Sequence, residues 1–91
     1  MPFFNGNTST GATSTAMDLS YMMRSFSIVN KTGSTANISV AFMYGSTVTQ
    51  VYKGTLNGNA SYRDSTRQLL PANYKIYFLT DQNCDFFFTL E

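Results

Sequence analysis

Five carboxylates, one thiol and no histidine are the groups this chain offers for moving a proton, attacking a carbon or holding a metal. The acids are Asp18, Asp64, Asp81, Asp85 and Glu91, and the thiol is Cys84. Without histidine, neither a Ser-His nor a Cys-His nucleophile pair can form, and the commonest metal ligand is missing. Asp81 and Asp85 bracket a short segment, so in principle they could hold a cation or act as an acid–base pair. The same spacing suits a turn-forming Asp followed by a solvent-facing strand Asp, which is the reading adopted here. Asp64 lies between Arg63 and Arg67 and reads as a weak surface ion pair. Cys84 has Asn83 and Asp85 as neighbours rather than the positive charge that activates a thiol, so it is expected in the core. Gly6 and Gly11 lack the preceding strand and following helix of a phosphate loop. The N-x-S/T triplets at Asn7, Asn30, Asn37 and Asn59 matter only in a secreted eukaryotic protein. The expectation is a chain that is not an enzyme, with no catalytic residue, no cofactor and no metal.

The charge pattern is equally sparing. The net charge is +1, and Arg24, Lys31, Lys53, Arg63, Arg67 and Lys75 are scattered rather than clustered. A nucleic-acid binder concentrates its basic residues, so no nucleic-acid partner is expected. No run of eighteen apolar residues exists, so no membrane span is expected. The first residues do not read as a signal peptide. A single reduced thiol fits synthesis in a cytoplasm. Aromatic residues make up 15% of the chain, without a tryptophan and without a basic groove for base stacking.

The elements follow from periodicity. "NISVAFMY" (Asn37 to Tyr44) alternates, with Ile38, Val40, Phe42 and Tyr44 on one face, which predicts a half-buried strand. "RSFSIVN" puts Phe26 and Ile28 on one side and Ser25 and Ser27 on the other. The Gly33-containing turn between these two segments predicts a hairpin. "TVTQVYKG", "SYRDS", "YKIYFLT" and "CDFFFTLE" supply four more strands, with Asn57-Gly58 as a strong turn signal. Pro71 belongs at a strand start or an edge. The fold class expected is all-β: a small antiparallel β-sandwich or barrel of about six strands with an extended N-terminal arm. The arm covers residues 1–20 and the sandwich domain residues 21–91.

Two features point to association. A folded body of about 70 residues is near the limit of independent stability, and without disulfide or metal it must gain support from neighbours. In the last hairpin, Ile76 and Phe78 face inward with Phe86, Phe88 and Leu90. Tyr77, Leu79 and Phe87 then face outward and, with Met43, make an apolar contact patch. The uncharged leader "NGNTSTGATSTA" cannot fold alone, but it can be laid along a neighbour's sheet edge with Phe3 and Phe4 as anchors. The candidate interface residues are therefore Phe3, Phe4, Met43, Tyr77, Leu79 and Phe87.

"SFSIVNKTGSTANISVAFMY" and "NASYRDSTRQLLPANYKIYFLT" together resemble the small β-sandwich structural proteins of tailed-bacteriophage virions. Ile28-Val29-Asn30, Thr32, Ile38, Val40 and Leu70-Pro71-Ala72 carry the resemblance, which runs from Ser25 to Glu91. It implies a non-enzymatic virion component made in the host bacterial cytoplasm. The type favoured is a capsid auxiliary (decoration or cement) protein that binds the major capsid protein and self-associates, often as a trimer. A tail, fibre or adaptor component, or a small carbohydrate- or peptide-binding β module, is the alternative.

Overall fold

Alternating apolar residues force strands, and strands with one apolar face must stack on another such face. The computed structural model describes residues 3–91 and has nine strands and no helix among them. In chain order they are β1 (Phe3–Thr8), β2 (Gly11–Thr13), β3 (Tyr21–Asn30), β4 (Ala36–Tyr44), β5 (Thr47–Leu56), β6 (Ser61–Asp64), β7 (Gln68–Leu70), β8 (Lys75–Thr80) and β9 (Cys84–Leu90).

Every strand pairing is antiparallel, and the strands form two sheets. One runs β1-β9-β3-β6, and the other β2-β8-β4-β5. The short β7 pairs with the first part of β3 (Tyr21 to Met23), and β6 pairs with Phe26 to Val29, so the two share one edge. Strands from the two ends of the chain lie side by side in both layers. This is the order of a jelly roll, two stacked sheets in Greek-key connection. The chain is thus a small all-β antiparallel sandwich.

The core lies between the layers. Phe26, Ile28, Phe86 and Phe88 come from the first sheet, and Ile38, Val40, Ile76 and Phe78 from the second; all are buried. Phe78 meets Phe86 at 5.2 Å and Phe88 at 6.4 Å between ring centroids. Tyr52 of β5 crosses to stack on Tyr62 of β6 at 4.7 Å. Gly54 makes room for it, since a Cβ there would lie 2.5 Å from the Tyr52 hydroxyl. Each Phe fully removed from water contributes about 1.5–3 kcal/mol, so this aromatic seam is the main cohesion of the fold.

Two expected hairpins are corrected. β3 and β4 are consecutive but lie in different sheets, as do β8 and β9. In both cases the apolar faces of the two strands meet across the core instead of lying side by side. Ile76 and Phe78 do face Phe86, Phe88 and Leu90, but from the opposite layer. A hairpin would satisfy the backbone equally well; packing of the inward rings decides the matter. The β4–β5 hairpin does form, turning at Gly45 with φ +58°.

The strand count rises from about six to nine because the leader supplies β1 and β2 and the segment before Pro71 supplies the short β7. β1 pairs with β9 and β2 with β8. The residues expected to reach a neighbour therefore cover this chain's own edges. Met1 and Pro2 of the expected arm lie outside the described residues. Small residues make the fit possible: a Cβ on Gly6 would come within 3.2 Å of the Phe86 ring, and one on Gly11 within 3.0 Å of the Phe78 carbonyl oxygen.

One buried polar side chain ties the end of the sandwich together. Asn30 closes β3 and is 1% exposed. Its Nδ2 donates to the carbonyl oxygens of Ser34 (2.7 Å), Leu56 (3.1 Å) and Asn57 (3.2 Å). Its Oδ1 accepts from the Thr32 amide (3.0 Å) and the Thr32 hydroxyl (2.9 Å). A buried amide is tolerated because its hydrogen-bonding groups are satisfied.

Candidate functional site

The carboxylates do not converge. Asp81 accepts from the backbone amide and side-chain Nδ2 of Asn37, each at 2.8 Å, and these bonds hold its carboxyl below the usual value. Asp85 accepts from Asn7 Nδ2 at 2.7 Å and lies 3.5 Å from Lys31 Nζ. These two acids thus serve separate networks, Asp81 from the β8–β9 connection and Asp85 from β9. Asp64 accepts from the Thr66 amide at 2.7 Å and from the Tyr62 hydroxyl at 3.2 Å. The surface ion pair expected of Asp64 with a flanking arginine is replaced by Arg67 with Glu91, which also faces Arg24 at 3.6 Å. Asp18 is lowered chiefly by the Tyr21 hydroxyl, which donates to it at 2.9 Å. Burial, with Asp64 close by, pushes the Tyr62 hydroxyl up. The shifted carboxyls, Asp18 and Asp81, are held ionised, the opposite of what a general acid needs. Cys84 is fully buried, with Thr80 Oγ1 3.4 Å from its sulfur. Among the described residues no group of three or more His, Cys, Asp or Glu could hold a metal ion.

What the architecture does display is apolar side chains on its outer faces. On the β2-β8-β4-β5 sheet, the register aligns Gly11, Leu79, Ser39 and Lys53 in one row, and Thr13, Tyr77, Ala41 and Gln50 in the next. Lys75, Met43 and Val48 form the third row. Met43, Tyr77 and Leu79 therefore share one face, as expected, and exposed Val48 extends it. Ala41 is buried at its centre beneath larger neighbours. Beside Leu79, a shallow hollow of about 440 Å³ is lined by Asn37, Ser39, Lys53, Thr55 and Asp81.

The other sheet carries a second set. Phe3 pairs opposite Thr89, and Asn5 opposite Phe87, which in turn faces Ser27 of β3. The Phe3 ring stacks on Phe87 at 5.6 Å with 14° between planes. Phe3, Phe87 and Val29 are all exposed. Phe87 is thus separated from Met43, Tyr77 and Leu79 by the thickness of the sandwich, and the single patch expected from the sequence becomes two. The separation follows directly from β8 and β9 lying in different layers. Phe4 is the inward anchor, half-buried against Phe86 (5.0 Å) and Phe88 (5.9 Å).

Both faces are polar at one end. There Asn7 Nδ2 donates to Asn83 Oδ1 at 3.0 Å, and Asn83 Nδ2 donates back to Asn7 Oδ1 at 3.0 Å and to Ser9 Oγ at 3.1 Å. At the other end Leu19, Tyr44 and Leu69 are exposed, and Tyr44 packs on Tyr74 at 5.3 Å. Sequence reasoning missed Val29, Val48, Leu19 and Leu69. The alternation already put Val29 opposite Phe26 and Ile28. Leu19 and Leu69 had no periodic neighbours to reveal them.

No protein-family model matches the sequence, and no curated protein matches it. Solved structures do resemble it. The core of Drosophila NLP, described for pentamer formation and histone binding, superposes with a TM-score of 0.63 at 9% identity, over 99% of this chain and 97% of that one. PirA gives 0.60 at 8% identity, over 100% and 94%. The Anabaena sensory rhodopsin transducer gives 0.57 at 9% identity, over 90% and 80%. What these chains share with this one is the fold.

Proposed function

We propose that this chain is a non-enzymatic structural protein whose work is association: with copies of itself and with a larger protein assembly. The observation that carries this reading is the pair of outward apolar sets, Met43, Tyr77, Leu79 and Val48 on one sheet and Phe3, Phe87 and Val29 on the other. Contiguous exposed apolar residues on a small monomer mark contact surfaces. The fold is 38 × 25 × 18 Å along its principal axes, so one broad face matches the roughly 800 Å² per partner of a standard interface. The dispersal of the carboxylates supports the same reading, because a reaction would need them together.

The larger assembly is a virion, and the role that of a capsid auxiliary protein. The resemblance of Ser25 to Glu91 to tailed-phage sandwich proteins supports this. The pentamer named for the Drosophila NLP core supports self-association on this fold. The copy number implied by the sequence resemblance is three.

Light scattering coupled to size exclusion tests the self-association, and mass spectrometry of purified particles tests the attachment. A defined homo-oligomer, present in fixed stoichiometry on a shell, is the expected result. A monomer at every concentration that joins no shell overturns the reading. One feature favours a second reading, a small carbohydrate- or peptide-binding module: the hollow beside Leu79. That reading requires a persistent monomer and saturable binding abolished by a bulky residue at Ser39.

A further inference from the structure

The N-terminal strand is the most lightly anchored long element of the sandwich. None of the six residues of β1 is buried, and every member of the buried core cluster lies at or beyond Met17. Phe4 is its one ring against the core, and Phe3 on Phe87 its one outer stack. The strand beneath it has the opposite character. β9 reads "CDFFFTL", with three consecutive Phe, one charge and neither Pro nor Gly. Such a segment pairs readily with another chain when its edge is open. β1 covers that edge.

The cover has a hinge. Ser9 and Thr10 alone separate β1 from β2, and the turn is held by Thr8. Its Oγ1 donates to the Gly11 carbonyl (2.8 Å) and accepts from the amides of Gly11 (2.9 Å) and Thr10 (3.2 Å). Opening these three bonds, with the bond from Asn83 to Ser9 Oγ, straightens the chain and swings β1 away while β2 and the Thr10 carbonyl stay on β8.

We propose that β1 is exchanged between copies of this chain, each copy's Phe3–Thr8 lying on the β9 edge of a neighbour. The slot defines its own occupant. It takes this strand in a register from Phe3 opposite Thr89 to Thr8 opposite Cys84, with Gly6 passing over the Phe86 ring. The same strand from a second copy makes the same contacts, so exchange loses only the hinge and the freedom of two separate molecules. The other long edge, β5, is a poorer site: its ladder with β4 is broken by a bulge beside Ala41, and Lys53 stands on it. This inference rests on the self-association reading and specifies its route.

A disulfide trap separates the two. Asn7 and Asp85 are opposite each other, and their side chains are already 2.7 Å apart. The variant Asn7→Cys/Asp85→Cys, in a Cys84→Ala background, is oxidised and run on a denaturing gel without reductant. The Cys84→Ala protein alone is the control for oligomeric state. Exchange predicts covalent dimers or a closed ring of the size seen by light scattering. An oligomer by light scattering that runs entirely as disulfide-closed monomer overturns strand exchange and leaves the self-association reading standing. A monomer by both methods overturns both. Phe3→Cys/Thr89→Cys, at the far end of the same ladder, repeats the test if the first variant folds poorly.

Discussion

Replacing Asn30 by Asp changes one nitrogen for one oxygen and no volume, yet it should be among the most damaging substitutions in the chain. The Asn30 Nδ2 faces three carbonyl oxygens, from Ser34, Leu56 and Asn57, within 3.2 Å. A carboxylate oxygen in its place meets three acceptors and no donor, at a site 1% exposed. An uncompensated buried charge costs about 3–5 kcal/mol. A domain of this length holds about 5–14 kcal/mol in total, so much of the stability is lost at pH 7. At about 4–8 °C per kcal/mol for a domain of this size, the melting temperature falls by about 12 °C or more. The sign of the pH dependence is fixed by the same geometry. The new carboxyl has a folded pKa above its unfolded value, so the folded state holds the extra proton between the two. Its penalty is therefore smallest below the unfolded carboxylate value, near pH 4, and grows as pH rises toward the folded pKa. Urea denaturation of wild type and Asn30→Asp at pH 4 and pH 7 measures both effects. A variant within 1 kcal/mol of wild type at pH 7, or one whose deficit does not shrink at pH 4, refutes the donor role of Asn30.

Three further outcomes follow from the structure. Gly58→Ala places a Cβ 2.4 Å from the Gly33 carbonyl oxygen, a backbone atom, so the two turns must separate; a loss of about 1–3 kcal/mol in chemical denaturation is expected. Asp81 has its carboxyl lowered by Asn37, so its contribution is present above the ordinary value of 3.8 and is lost as pH falls through the lower folded value. Acid unfolding followed by circular dichroism should accordingly be less steep below pH 4 in Asp81→Asn. Leu79→Glu and Phe87→Glu alter outward positions on opposite faces; the first should change monomer stability by no more than about 0.5 kcal/mol, and the second, which loses the stack on Phe3, should cost about 0.5–1.5 kcal/mol. Light scattering should show at least one of them shifting the assembly to smaller species; if both leave it unchanged, the outer faces are not the contacts.

The strands with clean alternation were legible from residue types alone. Ile38, Val40 and Phe42 turn inward as their period requires, and so do Phe26, Ile28, Phe86 and Phe88. What period two cannot encode is which strand lies beside which. Phe78 and Phe86 would face the same way in a hairpin or across two layers, and only the three-dimensional fit of their rings selects the layers. That choice also divided Phe87 from Tyr77 and Leu79, so the outward-facing residues expected to form one patch lie on two faces, and Phe4 turns inward. The leader misled for a different reason. Asn5, Gly6, Asn7 and Thr8 have low or middling strand propensity, and their pairing comes from the strand they lie on. Asn30 and Thr32 stood out as an N-x-T triplet and as part of a resemblance, neither of which explains them; the hydrogen bonds between them and the neighbouring turns supply the physical reason.

The interleaving of the sheets sets an order of events during synthesis. β9 lies between β1 and β3, and β8 between β2 and β4, so the middle of each layer is filled by residues 75–90. Until the ribosome has delivered that stretch, β1 and β2 have nothing to pair with, and the aromatic seam lacks Phe78, Phe86 and Phe88. A nascent chain shortened before Lys75 can pair β4 with β5, and β6 and β7 with β3, but lacks the strand at the middle of each layer. Such dependence on contacts between distant parts of the chain makes for folding in milliseconds to seconds rather than microseconds. Throughout that interval the leader and the three consecutive phenylalanines of β9 are not yet covered by each other, which is when a second copy can take either place.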